Sequence, residues 1–234
     1  MKNLSWEKKV LPGLLLLQVL TFPVLAQGYS KSFRVPSGSG ELEVVNKMGS
    51  VSVNVAEGNT ITVTAKQTEA PINATQSSQG KVKVTVTGNA TVDLVINVPT
   101  STALDLTCIK GELTIRNMSG PIRARTTEGD IQLSGIRSSK VEAGSSSGNV
   151  SFSGDVLPTG SYTLKSFSGR VSAILPASSD FKLQASSNNG GIDVGSYGLS
   201  FDKQSDKQVE GKSGAGHATV TLWTQEGSVQ LRRR

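Results

Sequence analysis

The sequence is short of the residues that build most catalytic and metal sites. Its 234 residues include one cysteine and one histidine, which excludes an internal disulfide and a zinc site made mainly of those two ligands. Aromatic residues make up 5% and charged residues 18% of the chain, while glycine contributes 25 residues. This composition argues against a disordered charged tail protein and favours strands and turns over helices.

The charge is also modest, with a formal net value of +6. Three arginines, Arg232 to Arg234, supply much of the excess at the end of the sequence. Basic residues do not alternate with aromatic ones in the stripe that is typical of nucleic-acid-binding surfaces. Nucleic acid is therefore not an expected partner, whereas an envelope polymer or a surface protein is compatible with the composition.

Residues 1–26 have the features of a secretory signal peptide. Three lysines precede a mostly apolar run over 10–20, and small residues at 24–26 provide a cleavage site. The apolar run is short and contains Pro12, which disfavours a permanent membrane helix. The pattern predicts a secreted protein, periplasmic or at the cell surface, whose mature chain begins near Gln27 and keeps no stable membrane span.

The remaining sequence is organised by a repeat around seven glycines. Apolar residues lie two and four positions after each glycine and five and seven positions before it, and all 28 of these positions are apolar. Alternation on both sides predicts two short strands, each with one buried face, joined by a corner at the glycine. The predicted structural turn glycines are Gly49, Gly111, Gly129, Gly148, Gly169, Gly190 and Gly227.

The corners need a residue that tolerates positive φ and close backbone approach, and glycine meets both needs. The position three residues earlier is occupied by small residues or by residues that can bond the backbone: Asn46, Cys108, Thr126, Ser145, Ser166, Ser187 and Thr224. Because Cys108 lies in this column, we interpret it as a small filler rather than a nucleophile.

The spacing of the glycines predicts the architecture. Successive anchors from Gly111 to Gly190 are separated by 18, 19, 21 and 21 residues, which suits one coil of a parallel β-solenoid with two short strands per coil. The alternative is an antiparallel β-sandwich built from hairpins. The solenoid is favoured because near-identical columns stack well on themselves.

Two stretches interrupt the regular spacing. Gly49 and Gly111 are 62 positions apart, a spacing close to three coils. The intervening segment has strand-like runs at Ile61–Ala65, Val82–Val86 and Val92–Val98. The predicted organisation is a signal peptide (1–26) and one β-repeat domain (27–234), with a less regular first half (27–99), regular coils (100–231), a loop insertion at 195–213 and a basic tail (232–234).

The repeat motifs resemble a known family. The runs Thr126-Thr127-Glu128-Gly129-Asp130-Ile131 and Ser145-Ser146-Ser147-Gly148-Asn149-Val150 are similar to those of the bacterial β-strand-repeat domain of unknown function labelled putative adhesin. The resemblance covers nearly all of the predicted mature chain. It implies a β-repeat fold, and its motifs are structural, so no catalytic residue is carried over.

Three sequence features could carry chemistry. His217, the single imidazole, lacks a nucleophile elbow. Gly190-Gly191-Ile192-Asp193 is an incomplete copy of a calcium-binding nonapeptide. Glu112 and Asp130 each follow an anchor glycine on successive coils, so stacking would set their backbones about 4.8 Å apart, within reach of a glycosidase carboxylate pair.

Weighed together, these features predict no catalytic, cofactor-binding or metal-binding residues and no cofactor. The favoured hypothesis is a non-enzymatic, secreted cell-envelope protein that acts as an adhesin or as a scaffold and interaction module. The alternatives are a carbohydrate-active β-helix enzyme using Glu112 and Asp130, and an envelope-stress sensing component whose Arg232–Arg234 tail touches anionic lipid or polymer.

One charge pattern tests the stacking directly. Asp105, Arg123 and Glu142 lie six residues before successive anchors, at outward positions. In a solenoid these three charges occupy adjacent rungs, whereas in a sandwich of hairpins they need not be neighbours.

Overall fold

A computed structural model describes residues 28–36, 40–66, 70–195 and 197–234, and within these ranges the chain forms 21 strands and no helix. The predicted signal peptide lies outside the described residues. In chain order the strands are β1 (Tyr29–Arg34), β2 (Glu41–Met48), β3 (Val51–Val55), β4 (Thr60–Ala65), β5 (Ile72–Gln76), β6 (Lys81–Val86), β7 (Leu94–Val98), β8 (Ala103–Lys110), β9 (Leu113–Arg116), β10 (Ile122–Glu128), β11 (Ile131–Ile136), β12 (Lys140–Ser147), β13 (Val150–Gly154), β14 (Ser161–Ser168), β15 (Val171–Leu175), β16 (Phe181–Ser187), β17 (Ile192–Asp193), β18 (Ser200–Gln204), β19 (Gln208–Ser213), β20 (Ala218–Glu226) and β21 (Val229–Arg233).

The strands form two sheets whose apolar faces share one core. The first sheet has the order β1-β4-β7-β3-β9-β11-β13-β15-β21-β17, and the second has the order β18-β19-β16-β20-β14-β12-β10-β8-β2-β6-β5. In the regular coils, a strand of the second sheet is followed by a corner glycine and then by a strand of the first sheet.

Successive repeats pair in parallel and in register. Ile122 on β10 lies opposite Leu104 on β8 and opposite Val141 on β12, so equivalent positions stack on one another. The fold is therefore the predicted β-solenoid with two short strands per coil, and the antiparallel sandwich is excluded for these coils.

The inward columns build the core as their alternation predicts. Leu106, Ala124, Ala143 and Leu164 form one such column and are each at most 1% exposed. Burial of a side chain the size of leucine stabilises the fold by about 1.5–3 kcal/mol. The continuous stack, rather than any single coil, makes these residues buried.

The coils do not stack in chain order at either end. The β2–β3 coil lies between β6–β7 and β8–β9, and the β20–β21 coil lies between β14–β15 and β16–β17. The region before Gly111 is therefore not a run of three successive coils. Its three strand-like runs do form strands, but β4 and β5 pair antiparallel with β7 and β6 at the end of the stack.

The predicted loop insertion at 195–213 is wrong in its secondary structure. Strands β18 and β19 form an antiparallel pair there, and β19 pairs antiparallel with β16. These strands cover the edge of β16, whose N–H and C=O groups would otherwise be unpaired. The hairpin escapes a search for alternation because all five residues of β18 are exposed.

The predicted basic tail is likewise part of the stack. Arg232 and Arg233 belong to β21, and the Arg234 amide donates to the Leu175 carbonyl at 2.9 Å. Arg232 lies 3.5 Å from the Asp193 carboxylate, and Arg234 is ion-paired with Asp155. Two of the three arginines thus tie the last strand to neighbouring coils.

Over the described ranges, no helix has the length and apolar character needed to cross a bilayer.

Candidate functional site

The corner glycines form a ladder in which backbone packs on backbone. Gly148 has φ of +150°, and a Cβ added there would overlap the carbonyl oxygen of Gly129 on the adjacent coil. Gly190 lacks a positive φ, but a Cβ there would overlap the Gly227 carbonyl in the same way. Close approach therefore requires glycine at both positions, and the positive φ adds to the requirement at Gly148.

The column three residues before these glycines connects neighbouring coils. Ser145 Oγ donates to the Gly129 carbonyl at 2.9 Å, and Ser166 Oγ donates to the Gly148 carbonyl at 2.7 Å. Each hydroxyl lies against the core and donates to the corner carbonyl of the preceding coil rather than to a carbonyl of its own corner. The column thus satisfies partly buried carbonyl oxygens while holding the coils in register.

Cys108 makes the equivalent contact, which supports its interpretation as a filler. Its Sγ lies 3.4 Å from the Gly49 carbonyl oxygen, and the residue is 1% exposed. Burial raises the pKa of the Cys108 thiol. A protonated, enclosed thiol is a poor nucleophile.

Glu112 and Asp130 lie on adjacent coils, as predicted, but both carboxylates have structural partners. Thr114 Oγ1 donates to the Glu112 carboxylate at 3.0 Å, and the backbone amide of Asn149 donates to the Asp130 carboxylate at 2.7 Å. The ladder continues with the Arg170 amide, which donates to Asn149 Oδ1 at 2.9 Å. Asp130 and Asn149 thus cap backbone N–H groups at an exposed edge of the stack, and Glu112 is bonded to a neighbouring hydroxyl, which leaves little support for a glycosidase pair.

His217 is paired with Asp180, not with a nucleophile. Its Nδ1 lies 2.6 Å from Asp180 Oδ2, and its backbone amide donates to Asp180 Oδ1 at 3.0 Å. These contacts lower the pKa of Asp180 to about 2. The pair joins the start of β20 to the residue before β16, so it fastens the inserted coil to its neighbour.

The calcium-like segment is also engaged elsewhere. Ile192 and Asp193 form β17, and Asp193 is the ion-pair partner of Arg232. Within the part of the chain that the structure describes, no three His, Cys, Asp or Glu side chains are grouped to hold a metal ion.

The outer face of the second sheet carries a depression of about 500 Å³, which we call the trough. It lies over Gly144 and is flanked by Arg125, Lys165, Phe167 and Trp223. The hydroxyl side chains of Thr107, Thr127, Ser146 and Thr163 also line it. Sequence reasoning missed this site, although every one of these residues falls at an outward position of the repeat.

Gly144 differs from the corner glycines because nothing in the fold requires it. Its φ is not positive, and an added Cβ would meet no atom within 4 Å. Glycine weakens a strand interior and often marks a place where a ligand or another backbone approaches closely. Here the missing side chain leaves the floor of the trough open between Arg125 and Lys165.

Two aromatic side chains border the trough on neighbouring strands. Phe167 on β14 is 53% exposed. Trp223 on β20 lies opposite Lys165 in the register and is half-buried. Trp223 and Lys165 also line a second depression of about 460 Å³, which extends towards Gln184 and Glu210. The two depressions therefore form one interrupted surface with Trp223 at their boundary.

The predicted charge ladder lies beside the trough and is confirmed. Arg123 Nη1 is 3.7 Å from Asp105, and its Nε is 3.2 Å from Glu142. Glu142 also contacts Arg125 at 3.0 Å, and hydrogen bonds from Arg125 and then Arg123 lower its pKa. Arg125 is thus held in place at one side of the trough.

Lys165 stands on the opposite side of the trough from Arg125. Across the described ranges, no carboxylate lies within ion-pair distance of its ammonium group. A lysine ammonium group without an acidic partner in a depression has all three N–H donors available to a ligand.

The sequence as a whole matches one family model. The model, described as Toastrack DUF4097, aligns with residues 25–232. The chain belongs to the Toastrack DUF4097 family. This confirms the resemblance inferred from the Ser/Thr-x-x-Gly repeat motifs, and it agrees with a solenoid-like β fold.

One solved structure shows the same fold at low sequence identity. A putative cell adhesion protein from Clostridium sporogenes is 13% identical, with a TM-score of 0.56, and the match covers 90% of this chain and 100% of that one. A putative adhesin from Bacteroides fragilis is 8% identical, with a TM-score of 0.38, over 89% of this chain and 97% of that one. No curated protein matches this Toastrack chain.

Proposed function

We propose that this Toastrack protein is a non-enzymatic module of the cell envelope that binds an envelope polymer or surface protein through the trough. The observation that carries the proposal is the combination of an open glycine floor, two bordering aromatic residues and an unpaired lysine on one sheet face. Such a mixture of apolar and convergent polar groups is typical of binding sites.

Export and adhesion fit the same proposal. The first 26 residues have the pattern of a secretory signal peptide, and a protein of similar fold bears the description of a cell adhesion protein. The lack of a catalytic role is supported by the acids and the histidine, since Asp130 is bonded to a backbone amide and His217 is bonded to Asp180.

The binding test uses the exported chain and whole cells or isolated envelope. We expect the double variant Trp223→Ala and Phe167→Ala to reduce the amount of protein retained on the envelope at least tenfold. The matched control is Ile174→Ala, which removes an exposed apolar side chain (40% exposed) from the first sheet. Equal retention of both variants would exclude the trough as the binding surface.

The export test is separate from the binding test. N-terminal sequencing of the exported protein is expected to begin near Gln27. Retention of the full-length chain in a membrane fraction would contradict the signal-peptide assignment.

A further inference from the structure

We infer that the ligand of the trough is an acidic polysaccharide, bound with a sugar ring against Trp223 and an anionic substituent over Gly144. This inference rests on the proposed function, because it names the ligand class of the same surface. It is carried by the order of four side-chain positions along one row of the second sheet.

The row places a cation, an open position, a second cation and an aromatic ring on consecutive rungs. Arg125 lies opposite Gly144, Gly144 lies opposite Lys165, and Lys165 lies opposite Trp223. Because neighbouring strands are about 4.8 Å apart, the row extends over about 14 Å. This length suits a short run of sugar residues lying across the strands.

The two cations explain why the ligand should be anionic. Arg125 and Lys165 stand on either side of the Gly144 floor, about 10 Å apart at the backbone, and both side chains are long enough to reach a group held between them. The Arg125 guanidinium is fixed by Glu142 at 3.0 Å and has donors to spare, while Lys165 has no acidic partner in the described chain. A carboxylate over Gly144 would accept from both.

The rest of the lining explains why the ligand should be a sugar polymer. An indole ring packs well on the apolar C–H face of a pyranose, and Trp223 offers an amphipathic ring at the edge of the trough. Thr127, Ser146 and Thr163 surround the floor with hydroxyl groups that can donate to and accept from sugar hydroxyls.

The acids around the surface argue against nucleic acid. Glu142 lies at one side of the trough and Glu210 lines the adjoining depression. A continuous phosphate backbone would pass close to both carboxylates, whereas single carboxylates on a sugar chain need meet only the cations. An apolar helix of a protein partner would leave the hydroxyl lining unsatisfied.

Tryptophan fluorescence gives a direct readout of this site. The chain has two tryptophans, Trp6 and Trp223, and Trp6 lies within the predicted signal peptide. In the exported protein the emission therefore reports on Trp223. The probes are an acidic oligosaccharide in which every second residue is a uronic acid, a neutral gluco-oligosaccharide of the same length and a single-stranded oligonucleotide.

We expect the acidic oligosaccharide to shift the emission and to bind at least tenfold more tightly than the neutral oligosaccharide. Lys165→Gln should remove this preference, and Trp223→Phe should retain part of the binding when it is followed by calorimetry. Gly144→Val should reduce affinity at least tenfold without lowering the melting temperature, because its side chain enters open space. Ser172→Val on the outer face of the first sheet is the matched control and should leave binding unchanged.

Three results would overturn the inference. Equal binding of the acidic and neutral oligosaccharides would exclude the role of Arg125 and Lys165. Tighter binding of the oligonucleotide would assign the surface to nucleic acid. If neither oligosaccharide binds while retention on the envelope still depends on Trp223, the acidic-polysaccharide inference fails and the proposed function stands.

Discussion

The outer faces of the two sheets differ although the same repeat builds both. On the first sheet, the position three residues after the corner glycine is polar and uncharged on nearly every rung: Ser52, Thr114, Gln132, Ser151, Ser172 and Gln230. On the second sheet, the row four residues before the glycine changes from Arg125 to Gly144, Lys165 and Trp223.

The comparison shows which positions the stack constrains and which it leaves free. Corner and inward residues contact their equivalents on the next coil, so one residue type suits every rung. Outward residues contact solvent, and a uniform polar row is enough to keep the face soluble. The row that departs from uniformity at Gly144 and Trp223 is the one that we propose as the binding surface.

The largest expected effect separates the corner glycine from the trough glycine. Gly148→Val should lower the free energy of unfolding by about 3 kcal/mol, because its Cβ would overlap the Gly129 carbonyl and its φ is +150°. Gly144→Val should be neutral or stabilising by about 0.5–1 kcal/mol. Urea denaturation measures both, and similar losses for the two variants would contradict the distinction between them.

A smaller effect is expected from the hydroxyl column between coils. Ser166→Ala should cost about 1–2 kcal/mol, since the buried Ser166 hydroxyl is the donor, at 2.7 Å, to the partly buried Gly148 carbonyl. Ser172→Ala, on the outer face of the first sheet, should change stability by less than about 0.5 kcal/mol. Matching midpoints in thermal denaturation for these two serine variants would argue against the inter-coil role of the column.

The Asp180–His217 pair predicts a pH dependence at the inserted coil. The pKa of Asp180 is lowered from 3.8 to about 2 in the folded protein. The ionised carboxylate therefore stabilises the folded state fully above about pH 4, and this stabilisation is lost as the pH falls through 2. Asp180→Asn should therefore destabilise the protein at pH 5 and have less effect at pH 2. If the difference in the free energy of unfolding between Asp180→Asn and the native protein stays constant from pH 5 to 2, the Asp180–His217 pair does not cause the pH dependence.

The smallest effect is expected in the charge ladder of the second sheet. A double-mutant cycle on Arg123 and Glu142, whose charged groups lie 3.2 Å apart, should give a coupling of about 0.2–1 kcal/mol. The side chains are 43% and 41% exposed, so the coupling should weaken as salt is added. A coupling that does not change with ionic strength would show that packing, not charge, connects the two residues.

The sequence was sufficient to predict the coils because their columns follow a physical period. The alternation around Gly129 and Gly148 reports burial directly, and the rung contacts of Arg123 follow from it. The insertion of β20–β21 between β14–β15 and β16–β17 was not predictable in this way. Coils with near-identical columns stack almost equally well on any neighbour, so spacing along the chain does not specify their order.

The trough was missed for the opposite reason. Phe167 and Trp223 lie at outward positions, where the repeat places no demand on residue type, and each looks ordinary by itself. Only the register brings Trp223 beside Lys165 and places both near Gly144. A site assembled from single residues of different coils has no signature within any one repeat.

The inserted coils also determine how the protein resists mechanical load. A tethered surface protein is pulled along its chain, and a solenoid stacked in chain order would lose its terminal coil first, by peeling from a free end. Here β20 is hydrogen-bonded on both sides, by β14 and β16, so tension that enters through the last strands shears two parallel ladders at once. The β2–β3 coil has the same protection from β6–β7 and β8–β9. Force that enters through the last strands therefore meets the interior of the stack first, whereas force that enters ahead of β2 meets β1, the edge strand of the first sheet.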